Sequence, residues 1–318
     1  MNQISPTKVL SEVAAAVPVS CRENIVVIGS LAAGFHFFKN DPSKAVRTKD
    51  VDCVLAPFHA AVGAGQAITR RLLDEGWQRR MAGDHQQPGN AGTPVDQLPA
   101  VRLYPPGVDP DSAEAWFIEL LTVPESTENE GRKWTRLPLD EGHFGLPTFR
   151  FISITAFDAL PADDLGIRYA RPEMMALANL LEHPEIKPER MSGLFAGRAI
   201  KRSNKDLGRV LAIATLADLD DYRPWANSWK NALEACFPNE WRSLAIRVGA
   251  GLRALLASRS DFEEAHHTCL NGLLASQPPT LDALRSAGDR VLGDAVELLE
   301  ELAKVQTVRT LLVGIELP

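Results

Sequence analysis

The period of apolar and polar positions along the chain changes near residue 160. Before that point, short runs rich in β-branched and aromatic residues read as strands: "NIVVIG" at 24–29, "DVDCVL" at 50–55, "AVRLY" at 100–104, "WFIELLT" at 116–122 and "FRFISIT" at 149–155. Helical patterns lie between them. "SLAAGFHFF" follows the first strand, and "HAAVGAGQAITRRLLDEG" carries Ala61, Ala64, Ile68 and Leu72 at helical spacing. An opening helix is expected in "PTKVLSEVAAAVPVS", with Ser5 or Thr7 near its N-cap and Leu10, Val13 and Val17 as its apolar stripe. Two connections are long and polar, "GDHQQPGNAGTPVDQLP" at 83–99 and "PESTENEGRKW" at 124–134. Beyond residue 170 the strand signals fade. "RPEMMALANLLEH", "AGRAIKRSNKDLGRVLAIATLADL", "NEWRSLAIRVGAGLRALLAS" and "TLDALRSAGDRVLGDAVELLEELAKV" are helical patterns punctuated by Pro, Ser, Asn and Asp. The expected architecture is α+β: a mixed sheet with helices over 1–165, then an all-helical domain over 166–318.

Against this pattern, three acids stand out. In a strand over 50–55, Asp50 and Asp52 share one face while Val51, Cys53 and Leu55 share the other and can pack inward. Two like charges on neighbouring same-face positions repel, and water, a basic partner or a metal must compensate. In "WFIELLT", Glu119 falls inside a strongly apolar strand, where an isolated carboxylate is costly unless paired or metal-bound. The plainer alternatives are a solvated strand end for the aspartates and a Glu–Arg pair within the fold for Glu119. Upstream, "IVVIGSLAAGFHFF" runs an apolar strand through Gly29-Ser30 into a helix. Gly29 permits a tight turn, Ser30 reads as the N-cap, and the N–H groups of a helix start attract phosphate. In the helical half, Arg198, Lys201, Arg202, Lys205 and Arg209 recur at steps of three and four, which would gather them on one helix face opposite Leu207, Val210, Leu211 and Ala214. Arg202 and Asp206 are spaced to pair.

Composition narrows the classes. With 318 residues, 45% hydrophobic and 24% charged, the chain has core material for two globular domains. A net charge of -7 argues against coating nucleic acid over a broad surface, though a local basic cleft remains compatible with it. The four cysteines are scattered without metal-finger spacing and read as reduced thiols of a cytoplasmic protein, and no run is apolar and long enough to span a membrane. His266-His267 lacks the further ligands that a metal site needs.

A Gly-Ser turn opening a helix, an Asp-x-Asp strand and a third acid on a later strand resemble, in that order, the nucleotidyltransferase superfamily with the polymerase-β-like fold. "RTKDVD" is similar to the Arg-Thr-x-Asp-x-Asp signature of bacterial nucleotidyltransferases of the abortive-infection toxin type, and "RSNKDLGRVLAIA" is similar to the Lys-Asp helix motif that those enzymes carry after the catalytic domain. The gap from Gly29-Ser30 to Asp50 is longer than usual there, which makes "KNDPSKAV" a loop extension. The resemblance implies an enzyme that moves a nucleoside monophosphate from a nucleoside triphosphate to a hydroxyl of a tRNA, a protein or a small molecule. It implies Mg²⁺, or Mn²⁺ in its place, on Asp50, Asp52 and Glu119. Gly29, Ser30, Arg47, Lys49, Lys201 and Lys205 would bind the nucleotide, and an antitoxin protein would be a partner in a toxin–antitoxin pair. The alternative is a non-catalytic nucleotide-binding or regulatory protein that retains the fold.

Overall fold

The computed structural model describes residues 3–41, 43–82, 87–112, 115–127, 133–162 and 165–304. The chain divides into two compact units, Met1–Pro172 and Glu173–Pro318.

In the first unit, β1 (Gln3–Ile4) leads into α1 (Pro6–Ala16), capped by the Ser5 side chain, which accepts from the Lys8 N–H. Leu10, Val13 and Val17 are buried, as their spacing predicts. Then come β2 (Ile25–Val27), α2 (Gly29–Phe38), β3 (Val46–Arg47), β4 (Asp50–Leu55), α3 (Phe58–Asp74), β5 (Gln78–Ala82), β6 (Ala100–Tyr104) and β7 (Phe117–Thr122). The unit continues with β8 (Lys133–Leu139), β9 (Gly142–Thr148), α4 (Ile152–Ala156), β10 (Leu160–Pro161) and β11 (Arg168–Tyr169). β1 and β3 form a two-stranded ribbon, and the remaining strands form one mixed sheet in the order β10-β11-β2-β4-β7-β6-β9-β8, with β5 also on β6. At its centre β2 runs antiparallel to β4, and β4 runs parallel to β7.

One face of that centre is sealed by α3. A Cβ built on Gly65 of this helix would lie 3.2 Å from Leu55 and Leu137 methyl carbons, so α3 sits directly on the face that Val51, Cys53 and Leu55 present. This explains the alternation in "DVDCVL". The apolar set fills the core under α3, and the aspartates are turned to the opposite face.

Two expectations fail here for physical reasons. "FRFISIT" is not a strand but contains the short helix α4. Phe149, Ile152 and Ala156 are spaced at helical intervals, and all pack on the cluster formed by Val54, Leu121 and Val123, while the Thr155 hydroxyl donates back to the Ile152 carbonyl at 2.7 Å. A short apolar run cannot by itself distinguish the two conformations. Conversely, the hairpin β8–β9 is hidden in the sequence by Pro138 and Pro147, which break the β pattern. Both prolines are accommodated, paired with His143 and Trp134, in a hairpin whose β8 ends the strand order, where a missing N–H is tolerated. Of the two polar connections, 83–86 and 128–132 lie outside the described residues.

The second unit is helical. It comprises α5 (Pro172–Glu182, whose first residue closes the first unit), α6 (Arg202–Leu216), α7 (Tyr222–Cys236), α8 (Trp241–Arg247), α9 (Ala250–Ala257), α10 (Arg259–Leu270) and α11 (Leu281–Val291), which passes through a π-helical turn over Leu292–Val296 and stays helical to 304. Tyr222 and Trp229 are fully buried, and each satisfies its polar atom by donating to a carbonyl, of Ala214 and Glu173 respectively. The long helical pattern from 196 is shorter than its periodicity predicts. Ala196 and Gly197 take positive φ values of 46° and 82° and turn a small hairpin, with bridges between Phe195 and Arg198 and between Arg190 and Lys201. The chain therefore enters α6 extended, with Lys201 at the N-cap position. Arg198 and Lys201 precede the helix, so the five basic residues do not share one helical face. Among the described residues, no helix is long and apolar enough to cross a membrane.

Candidate active site

Parallel pairing of β4 with β7 sets Asp52 opposite Glu119 and Asp50 opposite Phe117. Neighbouring strands lie about 4.8 Å apart, and residues two apart on one strand are separated by roughly 7 Å. Three carboxylates from distant stretches of sequence thus occupy one small area of the sheet face that α3 leaves uncovered. All three residues are half-buried. This juxtaposition depends on the chain reaching β7 in register with β4. The Phe117 N–H donates to the Lys49 carbonyl at 2.9 Å immediately before the first ladder position, and the Val123 N–H donates to the Leu55 carbonyl at 3.2 Å just beyond the last.

The β2–α2 turn closes on the same point. The Ile28 N–H donates to the Asp52 carbonyl at 2.9 Å, and Gly29 follows at φ +77°. A Cβ at Gly29 would lie 3.2 Å from Asp52 Oδ2, so only a residue without a side chain brings this turn so close to the carboxylate. Ser30 does not cap the helix. Ile28 holds the N-cap position, no side chain caps it, and Ser30 sits within the first turn, half-buried.

Thr48 orders the other end of β4. Its hydroxyl lies 3.0 Å from Asp50 Oδ1 and 3.2 Å from the Asp50 carbonyl, and the residue is buried. Arg47 is half-buried on β3, and Lys49 is half-buried immediately before β4. Antiparallel β6 adds a cation that the sequence reading passed over, since Arg102 pairs directly with Glu119. Its guanidinium stacks 4.5 Å from the Phe117 ring centroid, and its Nε is buried without a hydrogen-bond partner. The signal was present: Arg102 is the lone charge in "AVRLY", just as Glu119 is in "FIELLT". Apolar ground flanks the carboxylates on both sides, with Val54, Leu121 and Val123 toward one end and Tyr104, Ala115 and Phe117 toward the other.

As the side chains stand, no group of three His, Cys, Asp or Glu residues is gathered as metal ligands among the described residues. The backbone positions of Asp50, Asp52 and Glu119 are nonetheless near enough for rotation about side-chain bonds to bring their oxygens together. Three carboxylates are the donor set that hard cations such as Mg²⁺ take. The neighbouring Cys53 is no rival ligand or nucleophile. Burial, and then the Asp52 charge, push its thiol far up.

In the helical unit, Lys201 Nζ lies 2.7 Å from Asp261 Oδ1, and the Lys201 N–H donates to Glu264. Lys205 is half-buried in the first turn of α6. Asp206 is buried and accepts from His183 Nε2 at 2.8 Å and Arg202 Nε at 3.4 Å. Burial opposes its ionisation, but the His183 hydrogen bond and the charges of Arg209, Arg202 and Lys205 outweigh it and hold the carboxyl well below the usual range. The Lys-Asp pair therefore divides its work: Asp206 ties α6 to the end of α5, and Lys205 carries its charge at the helix start.

No family model matches the chain. No curated protein matches it either. Among solved structures it is similar to an antigenic nucleotidyltransferase-like protein from Paracoccidioides brasiliensis, at 15% identity over 76% of this chain and 94% of that one, with a TM-score of 0.32. It is also similar to the Megavirus polyadenylate synthase, at 11% identity over 87% of this chain and 50% of the viral one, with a TM-score of 0.29.

Proposed function

We propose that the chain is a nucleotidyltransferase that moves a nucleoside monophosphate from a nucleoside triphosphate to a hydroxyl acceptor, with pyrophosphate leaving. The observation that carries this reading is the β4–β7 register, in which Asp52 faces Glu119 with Asp50 two residues along on the same face. Three carboxylates grouped on one face of a sheet are the oxygen donor set that hard divalent cations take. Asp50, Asp52 and Glu119 would hold Mg²⁺, or Mn²⁺ in its place. Bound there, the ions would offset charge on the attacking and leaving oxygens of an in-line displacement.

The chain's own residues then supply positioning and counter-charge, the main components of phosphoryl-transfer catalysis. The tight Gly29 turn lets the uncapped N–H groups at the start of α2 approach the phosphates beside Asp52, and Ser30 adds a hydroxyl within that first turn. Thr48 restrains the Asp50 carboxylate. Glu119 is the carboxylate next to Asp52 that would take the proton of the attacking hydroxyl. Arg47 and Lys49 are the cations assigned to the triphosphate, and the motif resemblance alone adds Lys205. Lys201, ion-paired to Asp261, is the weakest member of that group. The similarity of "RTKDVD" and of the Lys-Asp helix to toxin-type enzymes favours a tRNA or protein acceptor and an antitoxin partner over a small-molecule acceptor.

The direct test is Asp52→Asn. The variant should keep the wild-type circular dichroism spectrum and lose transfer of label from an α-labelled nucleoside triphosphate in Mg²⁺. Transfer that survives the substitution rules out the carboxylate assignment. A nucleotide that still binds to the wild type without transfer would identify a non-catalytic nucleotide-binding protein instead.

A further inference from the structure

We propose that Arg102 is a triphosphate-binding residue of this site, an inference that rests on the nucleotidyl-transfer reading. The cation arises from β6, a strand that none of the motif residues occupies. Its Cα is paired with that of Glu119, so both side chains leave the sheet on the face that carries the aspartates. From there the guanidinium leans along β7 to lie 4.5 Å from the Phe117 ring centroid. Phe117 is in turn the register partner of Asp50. The guanidinium is therefore flanked by the Glu119 position on one side and the Asp50 position on the other.

What holds it there is stacking on an aromatic face, with its Nε buried and lacking an acceptor. An arginine kept in place by a ring retains its forked donors for a second partner. Two oxygens of one phosphate group match that fork bidentately, and the nucleotide would bring several such groups to three carboxylates that otherwise repel it. Phe117 is itself braced by Tyr104, with ring centroids 5.2 Å apart, so the platform beneath the guanidinium is fixed in position by packing. The purely structural alternative is a cation that only neutralises Glu119. It predicts equal effects on every ligand, whereas a phosphate contact discriminates by phosphate number.

The experiment compares wild type with Arg102→Met and Arg102→Lys. Binding of a nucleoside triphosphate, the diphosphate and the unphosphorylated nucleoside is measured by calorimetry in Mg²⁺. Arg102→Met should weaken the triphosphate at least tenfold and leave the nucleoside within twofold, shrinking the preference for phosphates. Arg102→Lys should recover part of that loss, because it restores charge without the fork. Equal weakening of all three ligands, or triphosphate affinity unchanged in Arg102→Met, overturns the assignment while leaving nucleotidyl transfer intact. Failure of the wild type to bind any triphosphate overturns both readings. A thermal melt of each variant separates unfolding from loss of binding.

Discussion

Gly29→Ala is the sharpest perturbation available, because one methyl group tests the backbone and the site together. Gly29 sits at φ +77°, where an L-residue costs about 1–2 kcal/mol. The added Cβ would also lie 3.2 Å from Asp52 Oδ2, closer than ordinary van der Waals contact, so the carboxylate must yield by a few tenths of an ångström. A loss of about 1–2 kcal/mol corresponds to a fall in melting temperature of roughly 2–8 °C for a unit of this size. If Asp52 acts as proposed, the displaced carboxylate should also lower label transfer, by less than the ~100-fold that a misplacement of about 1 Å can cost. The control is Gly63→Ala on the exposed face of α3. Nothing lies within 4 Å of a Cβ there, and replacing glycine by alanine within a helix should instead stabilise by up to about 1 kcal/mol. Thermal melts followed by circular dichroism, with label transfer on the same preparations, read both quantities. The two substitutions must move the melt in opposite directions. A Gly29→Ala protein that melts with or above Gly63→Ala and transfers label normally would falsify both the positive φ and the proximity of the turn to Asp52.

Two further outcomes concern the helical unit. Asp206 has a folded-state pKa below its unfolded value, so its contribution is fully present above the unfolded carboxylate pKa of about 3.9 and is lost as pH falls from there toward the folded value. Asp206→Asn should therefore destabilise the helical unit at pH 7, by about 3 kcal/mol if the buried pair behaves as others do, and should reduce the loss of stability below about pH 4; acid titrations of urea midpoints that run parallel in both proteins would refute this. Lys205→Ala should mainly raise the apparent KM for the nucleoside triphosphate without lowering the melting temperature, and an unchanged KM removes this residue from the nucleotide site.

Reading the sequence alone found the three acids because charge inside an apolar alternation is visible without coordinates. It also placed β4, β6, β7, α1 and α3 closely, since those elements carry an unbroken period of two or a helical stripe. It missed the β8–β9 hairpin, where prolines mask the period, and it mistook α4 for a strand, where five apolar and small residues fit either conformation. It extended α6 backwards over Arg198 and Lys201, because regular spacing of long basic side chains says nothing about a turn at Ala196-Gly197. Arg102 was passed over although it stood out by the same rule as Glu119.

The order of strands and the two periodicities were written into the chain, since burial of one face demands them wherever the strand lies. Which strands become neighbours was not. Asp52 and Glu119 are 67 residues apart in sequence, and only parallel pairing of β4 with β7 makes them adjacent. The same holds for Arg102 beside Glu119 and for the Gly29 turn against Asp52. Such contacts are decided by which strand edges pair when the sheet assembles, a property of the whole sheet rather than of any local stretch.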